Sequence, residues 1–169
     1  MKIKATASAL ALLGLCFSQY AGAQACPSIQ GTLTGASGSQ TVSGNNCNNN
    51  LALTAICANS DTLGGGGIDV YQYTLGTPHA SPLVFTVDPL GNFTPELATI
   101  STTCSSNTTC MDDVSGLNNT TPVSTADRTG DAAGTYFIFV GNVADAACGA
   151  YNLSWTGPLP VKLENFSVN

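Results

Sequence analysis

The chain predicts an all-β fold: an antiparallel, jelly-roll-like β-sandwich held by disulfides. Three observations predict it. Side chains follow period two in the second half of the chain: Tyr136, Ile138 and Val140 share one face in 134–141 (GTYFIFVG), and Tyr151, Leu153 and Trp155 alternate with Asn152, Ser154 and Thr156 in 150–156 (AYNLSWT). Gly and Pro punctuate the sequence often, and no long segment after the N-terminal stretch has helical periodicity. Finally, the cysteines are even in number once an export signal is set aside.

That signal is the first element. Lys2 and Lys4 give a basic start, Ala5 to Phe17 an apolar run, and Ala21-Gly22-Ala23-Gln24-Ala25 the small residues a signal peptidase accepts. The run falls short of the about 20 apolar residues that span a bilayer. Cys16 follows Leu15, and Cys26 has Ala23 where a lipoprotein signal carries an aliphatic residue, so neither suits lipid attachment. We expect a signal peptide at 1–25 of bacterial type, a β-sandwich domain at 26–157 and a C-terminal strand or tail at 158–169. The mature protein is then secreted, extracellular or periplasmic, with no membrane insertion after cleavage.

Candidate strands follow at 29–34, 40–43, 51–57, 69–75, 83–88, 97–103, 121–125, 135–141, 150–156 and 161–168. The segments 45–50 (NNCNNN) and 64–67 (GGGG) read as loops, because neither composition holds a ladder. Tyr71, Tyr73 and Leu75 share one face of their strand, as do Leu83, Phe85 and Val87, then Tyr136, Ile138 and Val140, then Tyr151, Leu153 and Trp155. Burying such side chains contributes about 1.5–3 kcal/mol each. Phe137 and Phe139 point the other way, so they are either covered by a loop or form a contact surface for a partner.

Charge excludes two partner classes. Cleavage after Ala25 leaves Arg128 and Lys162 against ten acidic residues, a net charge of −8. Nucleic acid and anionic membrane surfaces both require clustered Lys and Arg. Of the seven cysteines, six remain after cleavage: Cys26, Cys47, Cys57, Cys104, Cys110 and Cys148. A zinc site would need CxxC pairs or more than one histidine, and the chain has neither, so disulfides are expected. Asn92, Asn107, Asn118, Asn119, Asn152 and Asn165 begin N-x-S/T triplets, which arise by chance in a chain this rich in Asn and Thr.

The succession DVYQY (69–73), LVFTVD (83–88), FTPELA (93–98) and GTYFIFVG…CGAYNLSW resembles the bacterial pre-peptidase C-terminal domain. It is most similar to cysteine-containing versions in which a short C…C hairpin precedes two aspartates, here Cys104-SSNTT-Cys110-Met111-Asp112-Asp113. The resemblance covers roughly 69–156. It implies a jelly-roll-like sandwich linked to substrate or carbohydrate binding and to secretion, with calcium in some members. Those domains are usually appended to enzymes, whereas this chain carries no catalytic domain. The segment LPVKLENF (159–166) is similar to one that follows β-sandwich domains in bacterial surface proteins; no hydrophobic anchor accompanies it here, so sorting to an anchor is not expected.

The SSNTT stretch suits a turn, so Cys104 and Cys110 are expected to bridge a hairpin. The resemblance implies that Cys148 pairs with a cysteine upstream of the D-x-Y strand, a place Cys57 fits. Cys26 would then pair with Cys47, although Cys47 and Cys57 can exchange roles.

Catalysis has little support. His79, the single histidine, lies in TPHASP, and no G-x-S-x-G elbow surrounds a serine. Asp112 and Asp113 are adjacent, which on a strand sends them to opposite faces rather than making a glycosidase pair. The chain is therefore not expected to be an enzyme, and a small secreted hydrolase ranks last. No cofactor is required. Calcium is the one candidate, at Asp112 and Asp113, with Asp127 and Asp131 flanking a turn nearby; the alternative is that these acids only solvate the protein. The expected function is a non-catalytic module that binds carbohydrate or an extracellular protein at or outside the cell surface. The competing class is an assembly subunit that self-associates by adding strand 161–168 to a neighbour's sheet edge.

Overall fold

Each strand lies where an alternating face finds another to bury against. The computed structural model describes residues 28–35, 39–48, 67–91, 94–101, 104, 110–142 and 147–160. Among them run nine strands: β1 (Ile29–Thr32), β2 (Ser39–Asn45), β3 (Asp69–Leu75), β4 (Val84–Pro89), β5 (Pro95–Ser101), β6 (Cys110–Ser115), β7 (Val123–Ser124), β8 (Gly134–Asn142) and β9 (Ala150–Thr156). One sheet has the order β1-β3-β8-β5-β6 and the other β2-β9-β4-β7. Their inner faces share one core, in which Tyr71, Tyr73, Tyr136, Ile138 and Leu97 meet Phe85, Val87, Tyr151, Leu153 and Trp155. The fold is thus the all-β sandwich expected, with the aromatic faces turned inward.

Register follows from that alternation. Tyr73 pairs with Tyr136 across β3 and β8, and Phe85 with Trp155 across β4 and β9. The Tyr73 ring stacks on Tyr136 at 5.1 Å and lies 5.0 Å from Phe85 in the facing sheet. One pair departs from the antiparallel expectation: β1 runs parallel to β3. The chain leaves β1, forms β2 in the opposite sheet and only then returns as β3, and such a crossover makes parallel pairing available.

Two strands are misjudged by sequence alone. β6 is absent from the expected strands because its two adjacent acids break the alternation; the hydrogen-bonding edge of β5 imposes it. The segment 121–125 shrinks to Val123–Ser124, since Pro122 has no N–H to offer a ladder. The expected strands 51–57 and 161–168, the signal segment 1–25 and Cys26 and Cys57 lie outside the described residues.

Cys47 is bonded to Cys148, over a sequence separation of 101. This corrects the pairings Cys57–Cys148 and Cys26–Cys47 in favour of the exchanged role for Cys47. The reason is register: Asn45 of β2 pairs with Ala150 of β9, so the residues just outside that pair approach each other. Cys104 and Cys110 are each disulfide-bonded.

Candidate functional site

The strand ends gather loops at two poles. At one, β3 ends at Leu75 and β8 begins at Gly134; at the other, β3 begins at Asp69 and β8 ends at Asn142. The first pole carries the His79 loop. His79 donates its N–H to the Asp131 carbonyl (2.9 Å) and accepts from the Gly130 N–H (2.7 Å), which fixes its backbone against the 127–131 turn. That turn is itself held from within. Arg128 and Asp131 form a buried two-point ion pair, Nε to Oδ2 at 3.0 Å and Nη2 to Oδ1 at 2.9 Å. The Asp127 Oδ1 accepts from the Leu83 N–H (3.0 Å) and from the N–H and hydroxyl of Thr129 (3.0 and 2.9 Å). The Leu83 amide above all, then the Thr129 hydroxyl, holds the Asp127 carboxyl below its usual range.

Between this loop and the chain after β9 lies a cleft of about 320 Å³, lined by 75–81 and 158–160. His79 lines this cleft, while its Nε2 is buried out of reach of solvent with no hydrogen-bond partner. The far wall is fixed by the Leu159 N–H, which donates to the Gly35 carbonyl at 2.7 Å. Gly157, at φ 103°, lets this wall lie against the Pro82 carbonyl, where a Cβ would collide.

The other pole holds a buried polar chain. Tyr151 donates its hydroxyl to Asp69, and the Tyr71 hydroxyl lies 3.0 Å from that of Tyr151. All three residues are buried. Burial is the main cause raising both phenols above their ordinary pKa. Beside them Asn46 accepts from the Gly149 N–H (2.8 Å) and donates to the Gly67 carbonyl (2.9 Å), next to the Cys47–Cys148 bond. A second cleft, of about 380 Å³, lies between Pro89, Leu90 and Gly91 on one side and Asn119 and Thr120 on the other.

The residues singled out from sequence are scattered over this frame. Asp112 and Asp113 sit on β6, where Asp112 accepts from the Ala126 N–H and from the Asp113 N–H. Asp113 pairs with Ala98, on the face away from the main core. Among the described residues no three His, Cys, Asp or Glu side chains form a group suited to a metal. Phe139 is fully buried and Phe137 half-buried, in a second small core with Ile68, Val70, Ala98, Cys104 and Cys110. Phe139 is therefore covered rather than a partner contact, because Ile68, Val70, Ala98, Cys104 and Cys110 pack around it. Sequence reasoning missed the cleft wall 158–160 and the Asp69–Tyr151–Tyr71 chain. The second had a signal: Asp69 shares its parity with Tyr71 and Tyr73.

The chain is thus a disulfide-tied β-sandwich with loop clefts at its poles. No protein-family model matches it, nor does any curated protein. Among solved structures it is similar to the pre-peptidase C-terminal domain of collagenase from Bacillus anthracis: TM-score 0.47, 16% identity, covering 76% of this chain and 96% of that one. That domain is of the family its sequence motifs resemble. It is also similar to the periplasmic inhibitor of g-type lysozyme from Aeromonas hydrophila: TM-score 0.42, 13% identity, covering 76% and 96%.

Proposed function

We propose that this protein is an exported, non-catalytic β-sandwich module that binds carbohydrate or protein at or outside the cell surface. The observation that carries this reading is how its polar side chains are used. Arg128, Asp131, Asp127, Asp69 and Asp112 hold loops and strands together, while the clefts at both poles are lined by uncharged residues. Side chains locked in structural hydrogen bonds are poorly placed to move protons, and neutral loop clefts on a rigid scaffold suit recognition. Disulfides persist in oxidising compartments, which supports export. Among the described residues no helix is long and apolar enough to cross a membrane.

The test is binding of the purified mature protein to a glycan array and, separately, to surface proteins of the producing cell, alongside assays of glycoside and peptide hydrolysis. Saturable binding without turnover supports the module. Hydrolysis that disappears in His79→Ala would replace it with an enzyme.

A further inference from the structure

We infer that the outer edge of β2 is a self-association surface, at which a second copy of this chain adds its own β2 antiparallel about a two-fold axis. The inference goes beyond the binding reading and does not depend on which ligand the module takes.

The four sheet edges are not alike. Among the described residues the first sheet ends on β1 and β6, and the second on β2 and β7. A bare row of edge N–H and C=O groups templates another strand, so monomeric proteins blunt their edges with short strands, bulges, Pro or charge. β1 has four residues and an irregular register against β3. β6 carries Asp112 and Asp113, shifts register against β5 and is tethered to Ala126 through Asp112. β7 is two residues long and follows Pro122. β2 has none of these devices. Its seven residues, Ser39–Asn45, pair with β9 without a bulge and include neither a charge nor a proline.

This edge is also held rigid. Beyond one end Cys47 is bonded to Cys148, and beyond the other Gly35 is bridged to Leu159. Between them Val42 packs against the main core, and the Ser43 hydroxyl donates to Asn152 Oδ1 at 2.8 Å. A strand already fixed in its paired geometry loses little entropy when another is added to it.

Charge and register select the occupant. With the signal segment removed the chain carries a net charge of −8, yet none of its ten acidic residues lies on β2 or β9. Two copies therefore meet here without opposing carboxylates, and an uncharged edge has nothing with which to select a charged partner. The faces of the sheet must continue across the contact, so residues of like parity must stand opposite each other. A two-fold axis at Val42 satisfies this and engages the whole strand: Ser39 faces Asn45, Gln40 faces Gly44 and Thr41 faces Ser43. The exposed row Ser39, Thr41, Ser43 and Asn45 then forms hydroxyl and amide pairs across the axis, a favourable cross-strand combination. The two four-stranded sheets become one, and the contact closes on itself as a dimer.

Sedimentation equilibrium of the mature protein, from micromolar to millimolar concentration, should show a monomer–dimer equilibrium. Added salt should strengthen it by screening the repulsion between two acidic chains. Thr41→Glu with Ser43→Glu sets carboxylates opposite one another across the axis and should weaken dimerisation at least tenfold. Both side chains are exposed, so circular dichroism should stay unchanged. Thr41→Lys with Ser43→Lys should have the same effect, and mixing the two variants should restore a dimer containing one of each. A parent chain that stays monomeric throughout overturns the proposal, as does a dimer that both variants keep. Failure of the mixture to pair overturns it too. So does an open ladder of larger assemblies, which a two-fold contact does not produce.

Discussion

Gly44 of β2 lies directly opposite Tyr151 of β9, and the tyrosine ring occupies the space where a side chain at Gly44 would be. The ring is not at liberty to move aside, because its hydroxyl is tied to Asp69 and Tyr71. Gly44→Ala should therefore cost about 1–3 kcal/mol through overpacking. Tyr151→Phe should cost a similar about 1–3 kcal/mol, because the Asp69 carboxylate loses a buried donor. The double variant should cost less than the sum, since the ring can shift once its hydroxyl is gone. Urea unfolding of the four proteins measures the coupling, and strict additivity would contradict the arrangement.

The Arg128–Asp131 pair is buried on both sides. Arg128→Ala should destabilise by about 3–5 kcal/mol, because it strands a carboxylate away from water. Replacing both partners together, Arg128→Met with Asp131→Leu, should cost less than the single change. Denaturant midpoints at neutral pH rank the two.

Asp127 gives a pH signature. Its folded-state pKa is lowered, chiefly by the Leu83 amide, so its contribution is present above the ordinary value near ~3.9 and is lost as pH falls through the folded one. Asp127→Asn should be less stable than the parent at pH 7, and the two should converge in acid below pH ~4. Unfolding midpoints from pH 7 down to the acid limit follow the gap, and a constant gap would refute the assignment.

At the alkaline end, Tyr71, Tyr73, Tyr136 and Tyr151 are all raised above the ordinary 10.0, burial being the main cause. A raised pKa means the stabilisation is complete below the unfolded value and disappears as pH climbs through the folded one. Absorbance at about 295 nm should show no phenolate step near pH ~10. Ionisation should instead coincide with loss of the folded circular dichroism signal.

The cysteine network is testable by non-reducing peptide mapping. A Cys47–Cys148 peptide is expected, and a Cys57–Cys148 peptide would contradict the structure. Cys47→Ser with Cys148→Ser should lower stability by about 4.7 kcal/mol in the chain-entropy account of a loop near ~100 residues. We propose that Cys104 and Cys110 are joined to each other, and the same map decides it.

Much of the sandwich was legible because period two is a property of the backbone. β3 and β9 fall at 69–75 and 150–156 as read, and the four aromatic faces meet as expected. What escaped depends on partners distant in sequence. β6 is a strand because β5 offers it an edge, and Asp112 is a tether because Ala126 comes within its reach. The parallel β1–β3 pair needs knowledge of a crossover that no local pattern carries. The site was half legible. His79 stood out as the lone histidine, but the wall facing it arrives from the other end of the chain, at 158–160, by the Gly35–Leu159 bridge.

The Cys47–Cys148 bond closes a covalent circle that contains β3 through β8 and every loop between them. A protease that cuts one exposed loop inside the circle opens it without detaching any piece. The nicked molecule keeps its mass without reductant and separates into fragments only with it. Under proteolysis, surface cleavage and loss of structure thereby become separate events.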